Sequence, residues 1–203
     1  MSAPPVAETL AAAAERLPLT GRLIAIDLGE VRIGVALSDA GQVLASPAET
    51  LEVPRNQDDP ALRAMVDALA RHEAAGVVVG YPRQLDGSEG KPAARARRLA
   101  GVLEQRTGLP TVLIDERFTT TEAERVMLAQ DASRAERRRS IDRVAASLLL
   151  QTVLEVQRTR RRVQAEAAAE AADEAVAAEA ADEAVAEPDA DPPAPAPKDD
   201  RWH

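Results

Sequence analysis

The stretch from Leu23 to Asp39 constrains the fold of this chain more than any other. Two runs of aliphatic, partly β-branched residues flank Gly29-Glu30, which predicts two strands joined by a tight turn. One carboxylate, Asp27, lies inside the first run, and burying an unpaired charge is costly. Two interpretations follow: either Asp27 simply begins the turn of a β-hairpin, or it is an acidic active-site residue on a first strand.

The remaining pattern predicts an α/β domain. A third strand around residues 42–53 contains Pro47, which indicates an edge or interrupted strand. Helices and apolar strands then alternate: a helix from Asp58, a strand at 77–79, a loop at 80–90, a helix from Pro92, a strand at 111–114, a helix at 122–129 and a last helix from Ser140. Three antiparallel strands followed by βαβ units are the order of a ribonuclease H-like fold, a mixed sheet with helices on both faces.

The two ends of the chain differ from this middle part. We expect residues 1–20 to be a flexible leader, 21–160 the folded domain, and 161–203 an Ala/Glu/Pro-rich acidic tail that is largely disordered, although its Ala/Glu part can extend the last helix. The net charge of −9 belongs to the tail, because residues 164–203 hold 12 acidic and two basic residues and leave 22 acidic and 23 basic residues before them.

Composition excludes several classes of protein. The chain has no cysteine, so it has neither disulfides nor thiolate metal sites. Its two histidines, His72 and His203, lie away from the other motifs, which argues against a Ser-His-Asp triad. We see no signal peptide and no run of about 18 apolar residues that could span a membrane, and we therefore expect a cytoplasmic location.

Three carboxylates stand out by their positions in the predicted elements. Asp27 lies in the first strand, Glu116 follows the last strand, and Asp142 lies in the first turn of the last helix. If they converge, hard oxygen ligands suit Mg²⁺ or Mn²⁺, and two such ions about 3.5–4 Å apart can clamp a phosphodiester during hydrolysis. Each acid also has a structural explanation: Asp142 can stabilise a helix N-terminus, and Glu116 can pair with Arg117 or another arginine.

Two clusters of basic residues fit a phosphate-rich substrate. One surrounds Asp142 and includes Arg137-Arg138-Arg139; we interpret it as a nucleic-acid contact. The other comprises Lys91, Arg95, Arg97 and Arg98, for which a solvated helical face rich in i, i+4 ion pairs is the favoured explanation.

Four ordered motifs resemble the YqgF family, also called RuvX, of ribonuclease H-like nucleases, over residues 22–157. They are Asp27-Leu28-Gly29 with Arg32-Ile33-Gly34-Val35-Ala36 and Ser38-Asp39; Val79-Gly80-Tyr81-Pro82 with Asp86-Gly87-Ser88; Asp115-Glu116-Arg117-Phe118-Thr119-Thr120; and Ile141-Asp142 with Ala145-Ala146. The resemblance implies a bacterial cytoplasmic enzyme that processes the 5′ end of the 16S rRNA precursor, with Asp27, Glu116 and Asp142 as metal-binding catalytic acids. The candidate substrate-binding residues are Arg32, Arg117, Arg137, Arg138 and Arg139.

Other functions stay open at this point. A Holliday junction resolvase acting on DNA, or a non-catalytic RNA-binding protein on the same fold, would use the same sheet. Actin-like and sugar-kinase ATPases share the first motif but need a second domain, for which this chain is too short. The acids and arginines suit RNA and DNA alike, with pre-rRNA favoured and ribosomal particles as further partners, and the chain could be a monomer or a homodimer.

Overall fold

Five strands form one mixed sheet in the computed structural model of the chain. The structure describes residues 9–55, 57–84, 86–116 and 134–185, and the side chains of all of these except 134–142 and 178–185. The elements, in chain order, are α1 (Leu10–Arg16), β1 (Arg22–Leu28), β2 (Arg32–Ser38), β3 (Ala45–Glu52), α2 (Asp58–Arg71), β4 (Ala74–Tyr81), α3 (Lys91–Thr107), β5 (Thr111–Asp115) and α4 (Arg134–Val185).

The strand order is β3-β2-β1-β4-β5. Strands β1, β2 and β3 pair antiparallel, whereas β4 and β5 run parallel to β1. Asp27 lies opposite Gly34 of β2, and Ile26 lies beside Val79 of β4. Three antiparallel strands followed by parallel strands joined through helices are the arrangement predicted for a ribonuclease H-like fold, and that fold class is confirmed.

Strand β3 is an edge strand, as Pro47 indicated. Pro47 pairs with Ala36, directly beside the register shift between Val35 and Ala36. Because proline cannot donate a backbone hydrogen bond, an edge position with a local irregularity is where a strand tolerates it.

Each face of the sheet is covered by helices, as predicted. On one face, Ile24, Ile26 and Val79 belong to a core with the buried residues of α2 and α3. On the other face, Leu23 and Val78 belong to a core with buried residues of α1 and α4. The alternation along each strand therefore supplies two cores, which explains why the central strands are apolar at nearly every position.

The end of the predicted flexible leader is folded. Thr9 caps helix α1, its side chain accepting a hydrogen bond from the Ala12 N–H at 3.1 Å. Ala13, Ala14 and Leu17 are buried, since they lie on one stripe of the helix that packs on the sheet. Over residues 9–20 the structure thus differs from the prediction, and residues 1–8 lie outside the described residues.

Two arginines midway along α4 bind that helix to α1 and to the β2–β3 turn. Arg160 Nη1 donates to the carbonyls of Ala14 at 2.6 Å and Leu17 at 3.2 Å. Arg161 donates to the carbonyls of Gly41 and Gln42, both at 2.8 Å. These bonds add side-chain donors to carbonyls at the end of α1 and in the β2–β3 turn.

The chain divides into two units, Met1–Arg162 and Val163–His203. In the second unit, residues 163–185 continue as helix, which is the extension of the last helix that the Ala/Glu part of the tail allowed, and the largely disordered remainder stays a prediction. Alanine and glutamate are strong helix formers, which accounts for the helix without a buried core. Residues 186–203 lie outside the described residues. Across the described ranges, no helix is long and apolar enough to cross a membrane.

Replacing Leu150 by Ala tests the contribution of α4 to the core. Leu150 is completely buried against the sheet, so Leu150→Ala should lower the free energy of unfolding by about 2–5 kcal/mol. The matched control is Val163→Ala on the same helix, where the side chain is 54% exposed and the change should stay within about 0.5 kcal/mol. Urea denaturation followed by circular dichroism measures both, and equal effects would contradict this packing.

Candidate active site

Asp27 lies inside strand β1, not in the turn that follows it. The strand extends to Leu28, and Asp27 pairs in register with Gly34 of β2. Leu23 and Ala25 pack on the α4 face, and because side chains alternate along a strand, Asp27 belongs to the same face. The interpretation of Asp27 as the first residue of a simple hairpin turn therefore does not hold.

Glu116 reaches the same face from the end of β5. Val112 and Ile114 pack on the α4 face, and Glu116 continues this alternation directly after the strand. Its Oε1 atom lies over Gly80 of β4, so near that a Cβ added to Gly80 would be 2.6 Å from it. Strand β4 lies between β1 and β5. Because Gly80 has no side chain, the Glu116 carboxylate has space above β4.

Burial and neighbouring negative charges raise the pKa of Glu116. Burial is the largest cause, and the negative charges of Asp27 and Asp115 add to it, so that the pKa is raised to about 7. Burial disfavours the charged form, and nearby carboxylates disfavour it further. Of the three predicted acids, Asp27 is thus near enough to Glu116 to raise the pKa of Glu116.

Asp115 is an acid at this end of the sheet that was not among the predicted site residues. Its side chain is buried, and its Oδ2 atom lies 3.9 Å from Arg83 Nη1. It pairs in register with Tyr81 at the end of β4. The sequence signal for Asp115 is the pair of adjacent carboxylates, Asp115-Glu116, at the end of an apolar strand.

The third predicted acid, Asp142, lies in helix α4, four residues before the buried Ala146. Its side chain is outside the described residues. Within the part of the chain whose side chains are described, no three His, Cys, Asp or Glu residues are grouped so as to hold a metal ion. The structure therefore brings Asp27 and Glu116 together and leaves the place of the Asp142 carboxylate a prediction.

The predicted substrate-binding arginines fall into two groups. Arg32 lies in β2, and by strand alternation it is on the α4 face with Asp27, two residues from the Gly34 that pairs with Asp27. Arg117 lies outside the described residues. Arg137, Arg138 and Arg139 lie in the first turns of α4, and their side chains are outside the described residues.

The second basic cluster forms ion pairs, as the favoured explanation expected, but they are not pairs one turn apart on a solvated helical face. Arg95 and Arg98 both bind Asp58 at the start of α2, and Arg97 Nη2 lies 3.0 Å from Glu89 Oε1. These partners are on α2 and in the loop before α3 rather than one turn away on α3 itself. The cluster therefore joins elements together, which spacing along one helix could not indicate.

The loop after β4 is anchored beside this site. Tyr81 is buried. This burial and a hydrogen bond with the Glu89 carboxylate raise the pKa of the Tyr81 phenol. Asp86 accepts a hydrogen bond from the Ser88 N–H at 2.8 Å, and the Gln84 N–H donates to the Ser88 carbonyl at 3.1 Å. The loop thus has internal hydrogen bonds and lies at the carboxyl edge of the sheet, where α/β proteins bind ligands.

Comparison with known proteins gives consistent matches. The family model described as "RuvX: Holliday junction resolvase" matches residues 21–156. The chain is 39% identical over 152 residues to a protein of Rhodopirellula baltica named "Putative pre-16S rRNA nuclease", covering 75% of this chain and 87% of that protein. It is 42% identical over 140 residues to a protein of the same name from Cereibacter sphaeroides, covering 68% and 86%. Among solved structures, T. thermophilus RuvC in complex with Holliday junction substrate aligns with 15% identity and a TM-score of 0.46, covering 64% of this chain and 91% of that one.

The raised pKa of Glu116 predicts a pH-dependent stability. The folded state holds the proton of Glu116 more tightly than the unfolded state, whose pKa is near the ordinary 4.5. The contribution of protonated Glu116 to stability is therefore complete below about pH 4.5 and is lost as the pH rises through about 7.

Glu116→Gln should remove this dependence and make the variant more stable than the wild type at pH 8. Denaturant unfolding at pH 5 and pH 8 measures it. The control is Glu170→Gln, which replaces an exposed carboxylate of the same type. Parallel pH profiles for wild type and Glu116→Gln would show that the carboxylate is not in the environment described.

Proposed function

The chain belongs to the RuvX family, and on that premise we propose that it is a metal-dependent nuclease that processes the 5′ end of pre-16S rRNA during ribosome biogenesis. Membership in this family of nucleases also confirms the enzyme class predicted from the sequence, a hydrolase acting on ester bonds. A cytoplasmic location and ribosomal particles as partners are part of the proposal.

The main support for this proposal is that Asp27 and Glu116 lie near each other at one end of the sheet. Asp27 lies in β1 and Glu116 directly follows β5, and β4 separates these strands, yet after burial the charge of Asp27 is the next cause that raises the pKa of Glu116. Carboxylates held this close repel each other, and a bound cation would offset the repulsion. The oxygen donor set fits a hard divalent ion such as Mg²⁺ or Mn²⁺.

We assign Asp27, Glu116 and Asp142 as the metal-binding catalytic residues, with a site for two ions. Asp142 precedes the buried Ala146 by one helical turn, a spacing that favours the same side of α4 for both residues. A divalent ion held there would supply Lewis-acid stabilisation of the phosphate oxygens and lower the pKa of an attacking water.

Arginines would bind the substrate backbone. Arg32 is on the α4 face with Asp27, and a guanidinium there can donate to two oxygens of one phosphate. Arg117 and the series Arg137, Arg138 and Arg139 are proposed as further phosphate contacts. Contacts of this kind make affinity salt-dependent without reading sequence.

RNA is the proposed substrate because relatives near 40% identity, matched over most of their length, are named pre-16S rRNA nucleases. The family description favours a second candidate, resolution of Holliday junctions. The two functions differ in substrate and in stoichiometry, since a resolvase must cut two strands and would act as a symmetric dimer.

One experiment separates these functions. Purified protein is incubated with a 5′-extended 16S precursor RNA and, in parallel, with a four-way DNA junction, in the presence of Mg²⁺, Mn²⁺ or EDTA. RNA cleavage that EDTA abolishes is the expected result. Symmetric cutting of the junction alone would favour the resolvase, and binding without cleavage of either substrate would favour a non-catalytic RNA-binding protein.

Asp27→Asn should abolish RNA cleavage while leaving the fold and RNA affinity intact. The substitution removes one metal-binding charge and relieves repulsion toward Glu116, so the melting temperature should be equal to or above that of the wild type. Cleavage, filter binding and thermal unfolding are measured on the same preparation, with Asp173→Asn on the exposed helix as control. A wild-type cleavage rate in Asp27→Asn would exclude this carboxylate from catalysis.

Gly80→Ala should reduce cleavage by about ten- to a hundredfold, because displacing a catalytic group by about 1 Å costs on this order. The added Cβ would be 2.6 Å from Glu116 Oε1, and the flexible end of that side chain can move aside with little loss of stability. The control is Gly90→Ala, whose Cβ would meet the Gln84 side chain at 3.0 Å instead. Equal rates in the two variants would show that the space above Gly80 is not needed.

A further inference from the structure

Each residue of the turn after β1 is tied to another part of the chain. Arg95 Nη1 donates to the Gly29 carbonyl at 2.9 Å. Arg55 Nη1 pairs with Glu30 Oε2 at 2.7 Å, and the Val53 N–H donates to the Val31 carbonyl at 3.0 Å. This turn begins two residues after Asp27, so its position and that of the end of β1 depend on each other.

The Arg95 contact differs from the Arg55–Glu30 pair in burial. The side chains of Arg55 and Glu30 are each about two-thirds exposed (66% and 67%), and ion pairs with that exposure contribute little. The Arg95 side chain is only 15% exposed, although its bond to Gly29 lies at the surface, and its Nη2 atom is buried without a hydrogen-bond partner in the described structure. Burying part of a guanidinium is costly unless its other donors are paired. The hydrogen bonds of Arg95 to Asp58 and Gly29 are therefore the contacts that hold this side chain in place.

Asp58 holds the guanidinium of Arg95 in place. Arg95 Nε donates to Asp58 Oδ1 at 2.9 Å, and Arg98 binds the second oxygen, Oδ2. Burial acts to raise the pKa of Asp58, but hydrogen bonds and charge from Arg98 and Arg95 outweigh it and hold the pKa below its ordinary value. Asp58 is therefore an anion that orients Arg95 from the first turn of α2.

We propose that Arg95 is a positioning residue for Asp27: it links α2 and α3 to the Gly29 carbonyl and thereby fixes the end of β1. A planar guanidinium can bind Asp58 and Gly29 at the same time, whereas the ammonium group of lysine is a single compact charge. The functional part of this inference rests on the proposed nuclease activity, and the structural part does not.

The test compares Arg95→Lys with Arg98→Lys. Both arginines bind Asp58, but among the contacts described only Arg95 also reaches the turn, and both variants keep the net charge. Amide hydrogen exchange of residues 27–34 is measured by NMR in the whole protein, and kcat and KM are measured on the precursor RNA. Arg95→Gln serves as a second variant that removes both contacts.

Arg95→Lys should accelerate exchange in residues 27–34 and lower kcat by about tenfold or more, with KM within twofold of the wild type. Arg98→Lys should change neither. Unchanged exchange in both Arg95 variants would overturn the proposal, as would faster exchange with an unchanged kcat or a raised KM at constant kcat, the sign of a direct substrate contact. If the wild type cleaves neither RNA nor DNA, the nuclease proposal fails, and the exchange data still decide whether Arg95 holds the turn.

Discussion

Repulsion between carboxylates is the constraint on which the candidate site depends. Asp27 and Asp115 both raise the pKa of Glu116, so the fold brings like charges together where burial already disfavours them. A protein selected for stability alone has little reason to keep such a group. The surrounding sheet must therefore be rigid enough to hold the acids in place against a force that would separate them.

The sheet supplies this rigidity through its two cores. Strands β1, β4 and β5 are parallel and apolar on both faces, so the carboxyl ends at which the acids lie are fixed by packing above and below. Two residues of the candidate site depart from this apolar pattern. Gly80 has no side chain and leaves space for the Glu116 carboxylate, and Asp27 is charged where its neighbours in β1 are aliphatic. Both exceptions lie at the carboxyl ends of their strands, the end of the sheet at which Glu116 and the buried Asp115 also lie.

Local sequence patterns predicted the sheet and its helices because apolar periodicity directly reports burial. The same patterns predicted Asp27 and Glu116, since a charge inside or at the end of an apolar strand is conspicuous. They did not identify Gly80, because a glycine at the end of a strand also fits an ordinary turn. Sequence patterns likewise could not predict the partners of Arg95, since Asp58 and Gly29 are far from it in sequence and contact it only in the folded chain. Helix α1 was missed because small alanines give a weak signal of burial.

The bonds made by Arg160 and Arg161 have a consequence for where this domain ends. The family model stops at residue 156, but Gln157, Arg160 and Arg161 supply the donors for carbonyls in two loops on the amino side of the sheet. The family match therefore covers a shorter segment than the one whose side chains hold α4 to the rest of the domain. A truncated protein cut at the homology boundary would retain every proposed catalytic acid and still lack the hydrogen bonds that anchor its last helix.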